Sequence, residues 1–132
     1  MTDFFEIARF VGMENIVEGT VTCNADNVVE VNAAGQKIEG ISVCPAGRAV
    51  NIFIRPEDVT LSLSRTASSA RNVFPGQILS MIPSGPLVQV KLDCGFPLMA
   101  LITRNSADEM KLEIGQSVYA AFKSAAIHII AA

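Results

Sequence analysis

The sequence predicts an all-β protein made of two small β-barrels in tandem, with one short helix inserted in the second. Three observations predict it: many short strand-like runs separated by turn residues, an internal repeat across most of the chain, and one capped helix-like segment. Many short strands at close spacing are typical of barrels and sandwiches. The repeat divides the chain into a first unit, residues 1–65, and a second unit, residues 66–132.

The first half contains a helix-like segment and then five strand-like runs. Residues 3–10 place Phe4, Ile7 and Ala8 at the spacing of one helix face, and Gly12 ends this segment. The strand-like runs cover residues 16–23, 28–32, 37–43, 49–54 and 59–63. Asn, Asp, Pro and Gly lie between them, which favours strands joined by short turns.

The second half follows the same scheme with one addition. Its strand-like runs cover residues 77–82, 87–93, 96–103, 117–123 and 127–130. Residues 105–112 are helix-like, because Ser106 can cap a helix and Glu109, three residues later, can complete a capping box. The sequence therefore predicts one short helix within the second barrel.

An internal repeat relates the two halves. Three pairs of segments align: residues 12–21 with 69–78, 28–31 with 87–90, and 47–55 with 115–123. The first pair matches Asn15 with Asn72 and Gly19 with Gly76. Positions that both halves share are expected to serve the fold. We therefore interpret Asn15 and Asn72 as structural residues, at positive φ or in an Asx-turn.

Length and composition argue against several classes of function. With 132 residues, half of them hydrophobic, the chain forms one ordinary domain or two very small ones. No apolar run approaches the roughly 18–20 residues of a membrane span, and the start of the chain lacks the features of a signal peptide. The net charge of −3, without a basic patch, argues against nucleic acid as a partner. No phosphate-binding loop for ATP occurs.

The three cysteines, Cys23, Cys44 and Cys94, are odd in number and far apart in the sequence. They form no Cys-x-x-Cys pair and no Cys/His cluster, so a metal site is not predicted. We expect buried free thiols in a reducing cytoplasm.

Residues that distinguish the second half are the candidates for function. The second half collects these hydroxyl and cationic side chains: Ser69, Arg71, Thr103, Ser106, Lys123 and Ser124. Such donors, with free N–H groups at the start of the helix near Ser106, suit a tetrahedral oxyanion. An alternative interpretation stays open, in which Ser69 lies in a linker, Thr103 and Ser106 cap a helix, and Arg71 and Lys123 are solvated.

Two further groups of polar residues have a simpler interpretation. His128 lies in an alternating strand without a Ser or Cys partner, so we expect an ordinary strand histidine rather than a catalytic one. Glu57 and Asp58 follow Pro56, and a turn with solvated charges explains them better than a paired-carboxylate site.

The motifs of the second half resemble a known family, the Mop or TOBE molybdate-binding domain. The resemblance rests on these residues: Ser69, Ala70, Arg71, Asn72 and Gly76, then Ile102, Thr103 and Ser106, Leu112 and Gly115, Val118 and Ala120, and Phe122 with Lys123. The first half is similar to the first accessory subdomain of ABC-importer ATPases, through motifs that include Glu18–Gly19 and Arg55 to Asp58. Together the halves resemble the C-terminal regulatory region of a molybdate/tungstate importer ATPase.

The resemblance implies two OB-like barrels and an oxyanion site. It maps the site onto the turn of Ser69, Ala70, Arg71 and Asn72, the insert with Thr103 and Ser106, and Lys123. One departure concerns Ser124: the family often shows Lys-Ala-Ser, whereas this chain has Lys123-Ser124-Ala125. In a strand, that shift by one position turns the hydroxyl to the other face.

The function implied is that of a regulatory module which binds molybdate or tungstate and senses the intracellular anion for an ABC-importer ATPase. The implied partners are the small oxyanion, a second copy of the chain, the ATPase domain and the membrane subunits, at the inner face of the cell membrane. No cofactor and no catalytic activity are expected. The alternative function is a structural dimerisation module of an importer ATPase for another solute, without an anion site.

Overall fold

A computed structural model of the chain describes residues 15–65 and 72–132. The helix-like segment at residues 3–10 lies outside the described residues, as do Ser69, Ala70 and Arg71. The described strands are β1 Asn15–Ala25, β2 Val28–Ala33, β3 Gln36–Ile41, β4 Ala49–Ile54, β5 Thr60–Ser62, β6 Asn72–Ser84, β7 Leu87–Asp93, β8 Pro97–Thr103, β9 Ser117–Phe122 and β10 His128–Ala131. Helix α1 is Arg104–Met110, and short 3-10 turns cover Pro56–Asp58 and Ser124–Ala126.

The strands form two five-stranded antiparallel sheets of the same topology. The first sheet has the order β10-β4-β1-β2-β3, and the second has the order β5-β9-β6-β7-β8. Each sheet curls until its two edge strands come into contact, β10 with β3 and β5 with β8. The predicted fold class is therefore confirmed: two small barrels, with α1 inserted in the second after β8.

Each half of the chain gives its last strand to the other barrel. Strand β5 pairs with β9 of the second half, with Thr60 opposite Ala121. Strand β10 pairs with β4 of the first half, with His128 opposite Phe53. The boundary predicted at residue 65 remains a prediction. Each barrel contains strands from both sides of this boundary.

The repeat predicted from the sequence extends to fine details of the two sheets. The pairing of β1 with β2 shifts between Val21 and Cys23, and that of β6 with β7 shifts between Ile78 and Ser80. Next to these irregularities, the Gly47 N–H donates to the Val21 carbonyl at 2.7 Å, and the Gly115 N–H donates to the Ile78 carbonyl at 2.7 Å. A β-bulge bends a strand and increases its twist, and both sheets, which curl into barrels, have their register shift at the same place.

Alternating apolar residues along the strands build the core. Strands β2 and β4 bury every second side chain, which is the pattern expected when one face of a sheet is covered. The buried side chains of both barrels form one continuous hydrophobic cluster. In the second barrel, the Phe74 ring packs edge-on against Phe96 at 5.3 Å and stacks on Phe122 at 5.8 Å between ring centroids.

The two shared asparagines are structural residues, but they lie in strands rather than in turns, and each bonds to the other barrel. Asn15 and Asn72 are the first residues of β1 and β6. The Asn72 side chain bonds to the backbone of Glu39 in the first sheet, and the Asn15 side chain bonds to the backbone of Met99 in the second. Each asparagine therefore links the two barrels.

The shared glycines also lie within strands. A Cβ atom at Gly19 would lie 2.5 Å from Val31 Cγ1, and one at Gly76 would lie 2.7 Å from Cys94 Sγ. Both positions therefore require glycine because of close packing across the sheet.

We expect removal of β10 to weaken the first barrel, although β10 belongs to the second half of the chain. Deleting residues 128–132 removes the partners of β4 on its β10 side and leaves those in β1, so the β4 amides that face β10 should exchange with solvent at least about tenfold faster. Hydrogen exchange followed by mass spectrometry measures this effect. An Ile130→Ala variant is the control, because it keeps the strand and changes a side chain that is 56% exposed. Unchanged protection of the β4 amides in the truncated chain would show that β10 does not pair with β4.

Candidate functional site

The described candidate residues lie in two groups. Thr103 and Ser106 lie at the junction of β8 and α1. Asn72, Lys123 and Ser124 lie where the start of β6 meets the end of β9, because Asn72 pairs with Phe122. Ser69, Ala70 and Arg71 lie outside the described residues, so the predicted turn is represented here by Asn72 alone.

Thr103, rather than Ser106, caps helix α1. The Thr103 Oγ1 accepts a hydrogen bond from the Ser106 N–H at 3.1 Å, and the two hydroxyl oxygens lie 2.9 Å apart. The predicted cap at Ser106 is therefore wrong, because the cap lies three residues earlier in the extended residue that ends β8. The two hydroxyls share one mutual hydrogen bond, so one hydroxyl proton remains available to a ligand.

The start of α1 offers fewer free N–H groups than the sequence predicted. The helix has seven residues. The Ser106 N–H is used by its cap, and the Arg104 N–H donates to the Pro86 carbonyl at 2.8 Å. The hydroxyls of Thr103 and Ser106 are therefore better donors to an anion here than the N–H groups of Arg104 and Ser106, which already have acceptors.

Thr103 and Ser106 line a groove between β5 and β8, which we call the β5–β8 groove. Its volume is about 440 Å³. It is lined by Glu57, Val59, Thr60, Leu61, Leu87, Leu101, Ile102, Thr103, Ser106 and Met110. Its polar side chains are three hydroxyls and the Glu57 carboxylate, and the rest are apolar. Because β5 comes from the first half, both halves of the chain form this groove.

Thr60 is the hydroxyl that the sequence analysis missed. It lies in the first half, in an alternating strand, and nothing in the sequence shows that this strand joins the second barrel. Only the exchange of β5 places Thr60 in the same groove as Thr103 and Ser106.

Lys123 is exposed at the end of β9. Its backbone is extended, and its carbonyl accepts from the Ala126 N–H at 3.0 Å, which closes the following 3-10 turn. Lys37 pairs with Glu30 at 3.6 Å, and no ion pair of Lys123 is found within residues 15–65 and 72–132. The Lys123 charge thus has no acidic partner in the described part of the chain and can attract an anion.

Ser124 begins the 3-10 turn and does not continue β9. The expectation that a shift by one position turns its hydroxyl to the other face of a strand is therefore wrong. In a tight turn, side-chain direction does not alternate as it does along a strand. Ser124 is half-buried next to Lys123.

The two groups of candidate residues are joined through the exchanged strand. Lys123 is not among the residues that line the β5–β8 groove. Thr60 lines the groove and pairs with Ala121, two residues before Lys123. The structure thus brings Thr103 and Ser106 together with Thr60, and it brings Lys123 and Ser124 together with Asn72.

The cysteines do not form a reactive site in the described structure. Cys94 is buried, Cys44 is half-buried and Cys23 is exposed, so the expectation of buried thiols holds for Cys94 and is wrong for Cys23. Burial, with a smaller contribution from the Asp93 charge, raises the pKa of Cys94 from 9.0 to about 11. The Cys94 thiol is therefore protonated and unreactive near neutral pH.

The remaining polar groups fit the simpler interpretation given above. His128 is exposed on β10, opposite Phe53. Glu57 and Asp58 lie in a 3-10 turn. In the described ranges, no three His, Cys, Asp or Glu side chains come together as metal ligands would. No described helix is long and apolar enough to cross a membrane.

The fold and these donors define a class: a tandem OB-like barrel protein with exchanged fifth strands. Residues 68–129, nearly the whole second half of the chain, match the TOBE domain. The resemblance inferred from the motifs is confirmed.

Curated relatives extend the similarity to both halves. The chain is 40% identical over 124 residues to the "Molybdate/tungstate import ATP-binding protein WtpC" of Pyrococcus abyssi, with 93% of this chain and 34% of that protein covered. It is 36% identical over 126 residues to the WtpC protein of Pyrococcus horikoshii, with 94% and 34% covered. The chain therefore spans about a third of the length of these relatives.

A solved structure shares the fold. It is that of the cytoplasmic molybdate-binding protein ModG, in a form with molybdate bound. The TM-score is 0.82, with 92% of this chain and 99% of that chain covered, at 20% sequence identity. The likeness covers nearly all of both chains, so the tandem barrel is a fold that the two proteins have in common.

The raised pKa of Cys94 predicts a loss of stability at alkaline pH. The pKa in the folded state, about 11, lies above the ordinary value of 9.0. The contribution to stability is therefore complete below pH 9 and is lost as the pH rises towards 11, up to about 3 kcal/mol. Urea unfolding at pH 8 and pH 11 measures it, with Cys94→Ala as the control. Equal losses in both proteins would show that Cys94 does not cause the effect.

Proposed function

We propose that this chain is a regulatory module that binds a molybdate or tungstate oxyanion for an ABC-importer ATPase. The observation that carries the proposal is the extent of the similarity to the two WtpC proteins, which covers both halves of the chain. The shared fold with a protein named as molybdate-binding supports it. Binding is non-covalent and reversible, as a sensor of the intracellular anion requires.

The chemistry of the described donors supports an oxyanion ligand. A tetrahedral dianion accepts hydrogen bonds at four oxygens, and hydroxyl protons and an ammonium group are suitable donors. The Thr103–Ser106 pair has one hydroxyl proton to donate, and Lys123 supplies a positive charge. The net charge of −3 repels an anion at long range, so attraction depends on these local groups.

The partners and the location follow from the same proposal. The chain acts with an ATPase domain and the membrane subunits of an importer, at the cytoplasmic face of the membrane. It works as a homodimer, in which the site joins the Lys123 end of one copy to hydroxyls of the other. It uses no cofactor, binds no nucleic acid and catalyses no reaction by itself.

A second candidate function is a structural dimerisation module without an anion site. The lining of the β5–β8 groove favours it, because most side chains there are apolar and Glu57 is a carboxylate. An anion near Glu57 would be repelled by the carboxylate charge, and the apolar side chains offer it no hydrogen bonds. The two functions differ in whether the purified chain binds an oxyanion at all.

Calorimetric titration with molybdate, tungstate and sulfate tests the proposal. Lys123→Ala should weaken molybdate binding by at least about tenfold, or about 1.4 kcal/mol, because it removes the positive charge. Arg55→Ala is the matched control, since Arg55 is the repeat counterpart of Lys123 in the barrel that lacks α1. Equal effects of the two substitutions would place the site elsewhere. No heat with any of the three anions at millimolar concentration would favour the structural module.

Glu57 offers a test of the groove itself. If the anion lies near Thr103 and Ser106, Glu57→Gln removes a repulsive charge and should strengthen molybdate binding by about threefold or more, most clearly at low salt. Asp58→Asn is the control, because Asp58 is the adjacent carboxylate and does not line the groove. If Glu57→Gln leaves the molybdate affinity unchanged, the β5–β8 groove is not part of the anion site. The role of Lys123 is tested separately by Lys123→Ala.

A further inference from the structure

We propose that the first barrel positions Lys123 for the oxyanion. Two neighbouring residues of β3, Glu39 and Gly40, hold the chain on both sides of Lys123, and Asn72 is the positioning residue that makes one of the two links. The proposal rests on the proposed function, since it gives the first barrel a part in the binding site of the second.

The first link is a double hydrogen bond between Asn72 and the backbone of Glu39. The Glu39 N–H donates to Asn72 Oδ1 at 2.8 Å, and Asn72 Nδ2 donates to the Glu39 carbonyl at 2.9 Å. Asn72 is 2% exposed and is the buried polar residue of the described chain. The Asn72 side-chain amide thus makes the two hydrogen bonds to edge strand β3 that a neighbouring strand would make. The site is buried from water, where unpaired polar groups are costly.

This link reaches Lys123 through the strand ladder. Asn72 pairs with Phe122, the last residue of β9. Phe122 is 1% exposed, and its ring stacks on Phe74. Lys123 follows Phe122 directly, so the chain enters Lys123 from a point that is fixed to β3 through Asn72.

The second link holds the chain after Lys123. Gly40 packs against the side chains of Ile127, just before β10, and Ile129, within β10: a Cβ there would lie 2.5 Å from Ile129 Cδ1 and 3.1 Å from Ile127 Cδ1. Ile127 is 4% exposed. The 3-10 turn Ser124–Ala126 also contacts β3. The chain after Lys123 is therefore packed against β3 through the turn and the side chains of Ile127 and Ile129.

Fixing both sides of Lys123 has a consequence for binding. The lysine side chain is long and flexible, and its charge is a single point on four methylene groups. A backbone held on both sides sets where the side chain begins, which reduces the freedom that is lost when an anion binds. We infer that loss of the Asn72 link weakens anion binding through Lys123 and not through a contact of Asn72 with the anion.

The repeat supplies a matched control in Asn15. Asn15 Nδ2 donates to the Met99 carbonyl at 2.9 Å, and the Met99 N–H donates to Asn15 Oδ1 at 2.8 Å. Asn15 pairs with Ile54, the residue before Arg55. The two asparagines thus make the same kind of link between the barrels, but only Asn72 lies beside Lys123.

A double-mutant cycle with sodium molybdate tests the proposal. Affinities of the wild type, Asn72→Ala, Asn15→Ala, Lys123→Ala and the Asn72→Ala/Lys123→Ala double variant are measured by calorimetry, at a temperature where circular dichroism shows each to be folded. Asn72→Ala should weaken binding by about fivefold or more and Asn15→Ala by less than about twofold. In the double variant the Asn72 substitution should add nothing to the loss from Lys123→Ala, because coupled residues are not additive.

Gly40→Ala tests the second link and replaces Asn72→Ala if that variant does not fold. It crowds the side chains of Ile127 and Ile129 in the segment after Lys123 without removing any hydrogen-bonding group, and it should also weaken binding in the wild type but not in Lys123→Ala. Additive losses in the double variant, or equal losses for Asn72→Ala and Asn15→Ala, would overturn the positioning role. If the wild-type chain binds no molybdate, the proposed function fails and this proposal with it. If the wild type binds and the losses are additive, only this proposal fails.

Discussion

The reciprocal exchange of β5 and β10 is the constraint on which the rest of the structure depends. Each half, at about 65 residues, has few side chains with which to build a core, and a domain of this size is only marginally stable because it buries a small fraction of its surface. Exchanging the last strand completes each sheet with a strand from the other half. The buried side chains then form one cluster through both barrels, so the two halves share one core.

The asparagine links solve a second problem of the same architecture. Strands β3 and β8 are edge strands, and edge strands carry backbone groups that need partners. Asn72 satisfies both backbone groups of Glu39, and Asn15 satisfies those of Met99. The same side chains that cover the edges also fix one barrel to the other, which explains why both halves carry an asparagine at this position.

The two barrels share one topology, and the differences between them account for the candidate site. The second half adds α1 after β8, with its Thr103–Ser106 pair, and has Lys123 where the first half has Arg55. The exchanged strand then brings Thr60 and Glu57 of the first half into the same groove. This site belongs to neither repeat alone, because residues from both halves of the chain line the groove.

The sequence by itself determined the two repeats, nearly all the strands, the helix in the second half and the resemblance to the TOBE domain. Alternation and turn residues carry that information locally. Only the tertiary structure decided that β5 and β10 change barrels, that Thr60 joins the groove and that Asn72 bonds to Glu39. The physical reason is the repeat itself: alternation fixes which face of a strand is buried, but both halves present the same pattern. The choice of partner strand is therefore made by the packing of the whole chain.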